Sequence, residues 1–235
     1  REMSISLPLA EQQEISADVP VDMDRVHRPQ YGRYLDELDP GQVFEHPRGF
    51  TFDTANMLDF ARTYMQTNPL YLNAHYARAH GFADLLASPQ MVFNVTLSLG
   101  VQNDSEKAIA NLGYYQVQFL RPVFPGDTLR AFTKVLERKD RGPDKPGIAR
   151  IRTVGVNQDD EVVLQYERKI FVGWRGDRLP TTPAADVTTA FPGDENPVVS
   201  LPLSGEVVAS GLTGPNTYVE DFSPGDIIVH ANGRT

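Results

Sequence analysis

The chain has 235 residues, 40% of them hydrophobic and 23% charged, with a net charge of −9 and no cysteine. That is the composition of an ordinary globular protein with room for one large domain or roughly one and a half small ones. The acidic balance excludes nonspecific nucleic-acid binding, which needs cationic surface, and the missing cysteines exclude disulfides, thiolate catalysis and Cys-ligated metal. No stretch is long and apolar enough to span a bilayer, and Arg1-Glu2-Met3 leads into no signal-peptide core, so no membrane partner is expected and a cytoplasmic location fits.

Residues 1–33 carry little pattern and read as an extended arm. From Tyr34 the text is YLDELDPGQVFEHPRGFTFD, in which Pro40-Gly41 and Pro47-Arg48-Gly49 are turn signals around short aromatic or β-branched runs. Asp53 then suits the N-cap of a helix over residues 54–65, whose Met57, Phe60, Ala61 and Tyr64 share one face. Asn68-Pro69 ends it, because the residue before a proline avoids the helical region. A short helical segment over 74–82 leads towards PQMVFNVTLSLGV, residues 89–101.

That run is apolar at Met91, Val92, Phe93, Val95, Leu97, Leu99 and Val101, with no single helical face. Ser88 is a good N-cap and Pro89 suits the first helical position. The run predicts a central helix buried all round, about 20 Å long at 1.5 Å per residue. A buried strand is the rival reading, because short apolar runs are ambiguous by pattern. Four strands should follow: alternation at Tyr115, Val117 and Phe119; Thr128 to Lys139; Ile148 to Val156; and a last strand lined by Val162, Leu164, Tyr166, Ile170 and Val172. Asn157 to Asp160 reads as a tight hairpin turn. Residues 174–217, rich in Pro, Thr, Gly and Ser, read as a linker.

Two further features carry information. Between Arg130 and Arg152 eight basic residues face three acidic ones, either a solvated hairpin or a landing site for phosphates, with Lys134 and Arg138 as candidates. The segment 34–51 also recurs at 218–235, where Tyr, Pro, Gly, His, Gly and Thr coincide without a gap. An internal repeat changes the expected architecture: 34–173 as one domain, and 218–235 as the start of a second, truncated copy.

The entry segment, the run TANMLDFARTYMQTNPLYLNAHYARAHGFADLLASPQM and the strand-turn-strand RPVFPGDTL resemble the MaoC-like dehydratase family. AIANLGY and TVGVNQDDEVVLQYER resemble its branch acting on mesaconyl-CoA and β-methylmalyl-CoA. The resemblance implies an α+β hot-dog fold, an antiparallel sheet wrapped round a central helix, in tandem repeats. It implies reversible addition of water to a 2-enoyl-CoA, without a cofactor or metal. An Asp and a His would act on one water, and a backbone N–H at the start of the central helix would polarise the thioester. A second repeat or another subunit, as in a homodimer, would be the partner.

This chain departs from the family motif at each of those positions. Gln66 stands for the Asp, Tyr71 for the His, and Ser88-Pro89 for the His-Gly that opens the helix, where Pro89 has no N–H to donate. Gln66 cannot be a base, and a phenol with a reference pKa of about 10 is a poor one. The catalytic dyad is therefore expected in the second repeat, with Asn68, Tyr71, Gln90 and Asn94 as substrate-binding candidates here. A catalytically silent acyl-CoA-binding module is the alternative. A hot-dog thioesterase is disfavoured, because it needs a carboxylate where Gln66 stands. His75 and His80 miss the spacing of a helical metal pair.

Overall fold

The computed structural model describes residues 23–27, 29–176, 179, 181 and 219–227. The chain divides into two compact units, residues 1–30 and 31–235. In the first, the described part holds one 3-10 turn, Met23–Arg25.

The second unit builds the site. After a 3-10 turn at Leu35–Glu37 come β1 (Val43–Glu45), β2 (Phe50–Thr51) and α1 (Thr54–Thr63). The carboxylate of Asp53 caps α1 by accepting from the Asn56 N–H at 2.8 Å. A 3-10 turn at Pro69–Tyr71 and α2 (Ala74–Ala79) lead to the long helix α3 (Pro89–Asp104). Then four strands follow: β3 (Ala108–Phe119), β4 (Thr128–Lys139), β5 (Gly147–Val156) and β6 (Val162–Val172). The path β1-β4-β5-β6-β3 is antiparallel throughout, with β2 pairing on β4. This is the α+β hot-dog arrangement, with the sheet curled over α3.

The helix is not buried all round. Val92, Thr96, Gly100 and Asp104, one turn apart, are buried, while Gln90, Asn94, Ser98 and Gln102 form an exposed stripe on another face. The expectation of full burial over 89–101 counted apolar residues and overlooked Gln90, Asn94 and Ser98 at i, i+4 and i+8, a face signal in its own right.

Close approach of α3 to the sheet depends on missing side chains. A Cβ at Gly155 would lie 2.7 Å from Thr96 Oγ1, and one at Gly100 would lie 2.9 Å from the ring of His46. Around α3, Phe52, Met57, Met91, Val92, Leu129, Leu164 and Tyr166 form the main core. A second core joins Leu35 and Leu38 to Val135, Ile151, Ile170 and Val172. Losing a buried leucine of this kind costs about 2–5 kcal/mol.

Strand β3 is an edge, paired only with β6 among the described residues. Three register shifts break its ladder. Ile109, Leu112, Tyr115, Val117 and Phe119 on it are exposed. Bulges blunt an edge, yet an exposed apolar edge remains a surface suited to pairing.

Residues 219–227 reproduce the conformation of 35–43. Val219–Asp221 is a 3-10 turn like Leu35–Glu37. The Phe222 N–H donates to Val219 O as Leu38 donates to Leu35 O, and Asp226 to Ser223 as Gln42 to Asp39. Gly225 has φ +96° and Gly41 +92°, a left-handed geometry that glycine tolerates best. The burial differs: Leu35 is fully buried, whereas Val219 is 88% exposed. The rest of the second copy, 228–235, most of the linker and most of the 1–33 arm lie outside the described residues.

A buried polar network ties the C-terminal end of α3 to the sheet. Arg168 donates to Asp104 Oδ1 at 2.9 Å and to Ser105 Oγ at 2.7 Å. His46 Nε2 lies 2.8 Å from Thr133 Oγ1 and 3.7 Å from Asp104 Oδ2, and Thr133 Oγ1 lies 3.0 Å from Thr153 Oγ1. The Asn103 amide nitrogen lies 3.2 Å from His46 Nδ1. Because that nitrogen can only donate, Nδ1 accepts, and the imidazole proton sits on Nε2, the neutral tautomer.

Burial holds the His46 pKa below 6.5, reinforced by Arg168 and Arg33 and opposed by Asp104. Folded His46 therefore binds fewer protons than unfolded His46. Its contribution is present above the unfolded value of 6.5 and is lost as pH falls through the lower folded value. Urea titrations from about pH 7 down to about 5 should show stability falling, with a shallower fall in His46→Gln. Equal slopes in the two proteins would place the acid sensitivity elsewhere.

Candidate functional site

The site positions gather round the N-terminal end of α3. The chain leaves α1 through Met65, held at φ +52°, and the Gln66 N–H returns to Ala61 O at 2.8 Å. This reversal places Gln66 beside the first turn of α3. Asn68 caps the 3-10 turn that follows, its Oδ1 accepting from the Leu70 N–H at 3.0 Å. The segment entering α3 is pinned by the Leu86 N–H on Leu70 O at 3.1 Å and the Ala87 N–H on Val123 O at 2.9 Å. Ser88 Oγ then accepts from the Met91 N–H at 3.3 Å.

Two cavities open there, sharing Pro89 and Phe119 in their walls. The larger, about 560 Å³, is walled by Phe60, Tyr64 and Phe93 and carries Gln66, Gln90 and Asn94. Gln66 Nε2 donates to Gln90 Oε1 at 3.1 Å, while Gln66 Oε1 is shielded from solvent without a partner. The smaller, about 200 Å³, holds Tyr71 among Leu70, Phe82 and Val92, with Arg121 on its wall. Burial pushes the Tyr71 phenol up from 10.0, further from any role as a base at neutral pH.

Gln66, Gln90 and Asn94 are thus brought together, and Tyr71 lies in the other cavity. Asn68 caps a turn. Neither Gln66 nor Tyr71 can hold an activated water as base, and Pro89 removes one helix-start donor. His80 Nδ1 bonds Tyr76 O at 2.8 Å and its ring stacks on Tyr76, a local structural use. Sequence reasoning missed the aromatic wall. The spacing puts Phe60 and Tyr64 on one apolar face, and nothing in the pattern distinguishes a cavity wall from a core.

Lys134 and Arg138 do not stand open at the surface, whereas Lys139, Arg141 and Lys145 about the turn of the hairpin are exposed. Lys134 is 1% exposed and Arg138 6%. Arg138 reaches Asp39 Oδ1 at 2.7 Å, Arg150 and Arg152 both grip the buried Glu167, and Arg130 pairs with Asp160. Arg130, Arg138, Arg150 and Arg152 are thus paired with carboxylates distant in sequence, and the burial of Lys134 and Arg138 speaks against coenzyme A phosphates at those two residues.

A hot-dog sheet over one helix is the architecture shared with the MaoC-like dehydratase family. A MaoC domain protein dehydratase from Chloroflexus aurantiacus superposes with a TM-score of 0.63 at 26% identity, over 84% of this chain and 53% of that one. A Mycobacterium tuberculosis protein with a double hotdogfold gives 0.58 at 27% identity, over 74% of this chain and 54% of that one. The profile of the mesaconyl-CoA hydratase family matches residues 17–223, and the chain belongs to that family. Beta-methylmalyl-CoA dehydratase of Chloroflexus aurantiacus is 30% identical over 208 residues, and mesaconyl-CoA hydratase of Cereibacter sphaeroides 29% over 205. Each match covers 87% of this chain, but the chain spans only 58% and 60% of those relatives' lengths. No helix among the described residues is long and apolar enough to cross a membrane.

The pairing of Arg138 makes a stability prediction. Arg138→Glu sets a second carboxylate beside Asp39 at a buried position and should lower unfolding free energy by about 3–5 kcal/mol in chemical denaturation. An unchanged midpoint together with weaker coenzyme A binding would restore the phosphate role.

Proposed function

We propose that the protein is a MaoC-like hydratase/dehydratase adding or removing water on a short branched acyl-CoA of the mesaconyl or β-methylmalyl type. The half described here shapes and supports the site, and the catalytic dyad lies on a second hot-dog repeat. The observation that carries this reading is the state of the dyad positions. Gln66 has no basic function, Tyr71 has its phenol pushed up by burial, and the two open into separate cavities. The names of the relatives supply the substrate class.

The reaction needs a base to deprotonate water as it attacks C3 of the enoyl thioester, and an acid to protonate C2. It also needs donors on the thioester oxygen as negative charge grows there. This half offers carboxamides and aromatic walls, which bind and exclude water but move no proton. A second repeat is supported by residues 219–227, which carry the entry conformation with Val219, Phe222 and Ile227 exposed. In the first copy the counterparts of the first two, Leu35 and Leu38, are buried. The apolar edge β3 offers a surface for the same partner repeat or for a second subunit.

Hydration of mesaconyl-CoA by the full-length protein, followed by loss of the enoyl-thioester absorbance, tests the activity. Gln66→Ala and Tyr71→Phe should each lower kcat by less than about tenfold, whereas loss of a true acid or base costs about 10²–10⁴-fold. A fall of the larger size in a folded variant would put the chemistry in this half.

A further inference from the structure

A third cleft, about 410 Å³, lies further along α3 between that helix and the β1–β2 turn. Its walls include Phe50, Val95 and Leu99, with Asn94, Ser98 and Arg48 as its polar groups. Asn94 also lines the larger cavity beside Gln66, so the two spaces meet along the exposed stripe Gln90, Asn94, Ser98. From Gln90 to Ser98 that stripe runs about 12 Å at 1.5 Å per residue.

Arg48 differs from the basic residues of the sheet. Arg130, Arg138, Arg150, Arg152 and Arg168 each pair with a carboxylate. Arg48 has neither a hydrogen bond nor an ion pair among the described residues, and no acidic side chain lines its cleft. Its turn is held close to β4: a Cβ on Gly49 would lie 3.3 Å from Leu129 O. The next residue, Phe50, is already in register opposite Leu129. The guanidinium is therefore presented from a fixed turn onto an apolar cleft, in a chain of net charge −9 that otherwise repels anions.

We infer that Arg48 binds an oxyanion of an elongated ligand lying along the polar stripe of α3, with Ser98 and Asn94 beside it. A guanidinium meets carboxylate and phosphate oxygens in the same forked geometry, and such charge-assisted bonds are about twice as strong as neutral ones. On the proposed function, on which this inference rests, the oxyanion has two sources: the free carboxylate of a dicarboxylic acyl group, or a phosphate of coenzyme A.

The test is steady-state kinetics of the full-length protein with mesaconyl-CoA, which has the extra carboxylate, and crotonyl-CoA, which lacks it. Arg48→Met should lower kcat/KM through KM, by about 10–100-fold for a lost hydrogen bond to a charged group. Arg48→Lys should recover part of the loss. A fall confined to mesaconyl-CoA identifies the acyl carboxylate. A fall shared by both thioesters, together with weaker inhibition by free coenzyme A, identifies the phosphate. Unchanged KM for both substrates, or a fall in kcat alone, overturns the inference while leaving the hydratase reading in place. A parent protein that turns over neither thioester overturns both.

Discussion

The fold depends on one buried charge. Arg168 projects from β6 into the concave face of the sheet, where an unpaired guanidinium would be strongly destabilising. Asp104, in the last turn of α3, meets it at 2.9 Å. A buried pair of this kind is no great source of net stability, because desolvating both ions offsets most of their attraction. Its effect is to specify. Removing either partner strands the other, so α3 can sit on the sheet only with Asp104 over Arg168. Asp104 Oδ2 and Arg168 Nε lack hydrogen bonds, which leaves His46, 3.7 Å away, as a further neighbour of the carboxylate.

That anchor fixes the helix in rotation as well as position. With Asp104, Gly100, Thr96 and Val92 against the sheet, Gln90, Asn94, Ser98 and Gln102 must face out. The two ends of one 16-residue helix then have separate tasks. The C-terminal end is locked by Arg168, Ser105 and the bond from the Gly32 N–H to Gln102 O at 2.8 Å. The N-terminal end, about 24 Å away at 1.5 Å per residue, is where the cavities open. Glycine serves the anchor: Gly100 and Gly155 are small so that His46 and Thr96 can fit, and a methyl at either position would force the facing side chain to shift.

Strands β4, β5 and β6 were legible because alternation is a local signal, and Thr128–Lys139 has the bounds read from the sequence. The cap of α1 at Asp53 and that of α3 at Ser88 were legible for the same reason. Failures came where the deciding partner is remote. Lys134 and Arg138 were read with their sequence neighbours, but Arg138 is satisfied by Asp39, 99 residues away. The departure of Gln66 and Tyr71 from the family motif could be read by position. That Gln66 and Tyr71 open into different cavities could not, because it follows from the left-handed turn at Met65 and from Pro89 and Phe119 standing between them. Arg48 carried no signal beyond its turn.

With Gln66 and Tyr71 at the motif positions, aromatic and carboxamide walls stay open at the mouth of α3. The geometry ties those walls to the exposed edge. Phe119 belongs to both cavities and is also the last residue of β3, the strand with no outer neighbour among the described residues. Filling the cavities by enlarging side chains would therefore reshape the strand end where an adjoining sheet would pair. Conversely, a surface laid against β3 would close Phe119 over whatever lies in the cavities, excluding water and strengthening every polar contact inside. The edge and the cavities therefore share Phe119, so that a change at one is felt at the other.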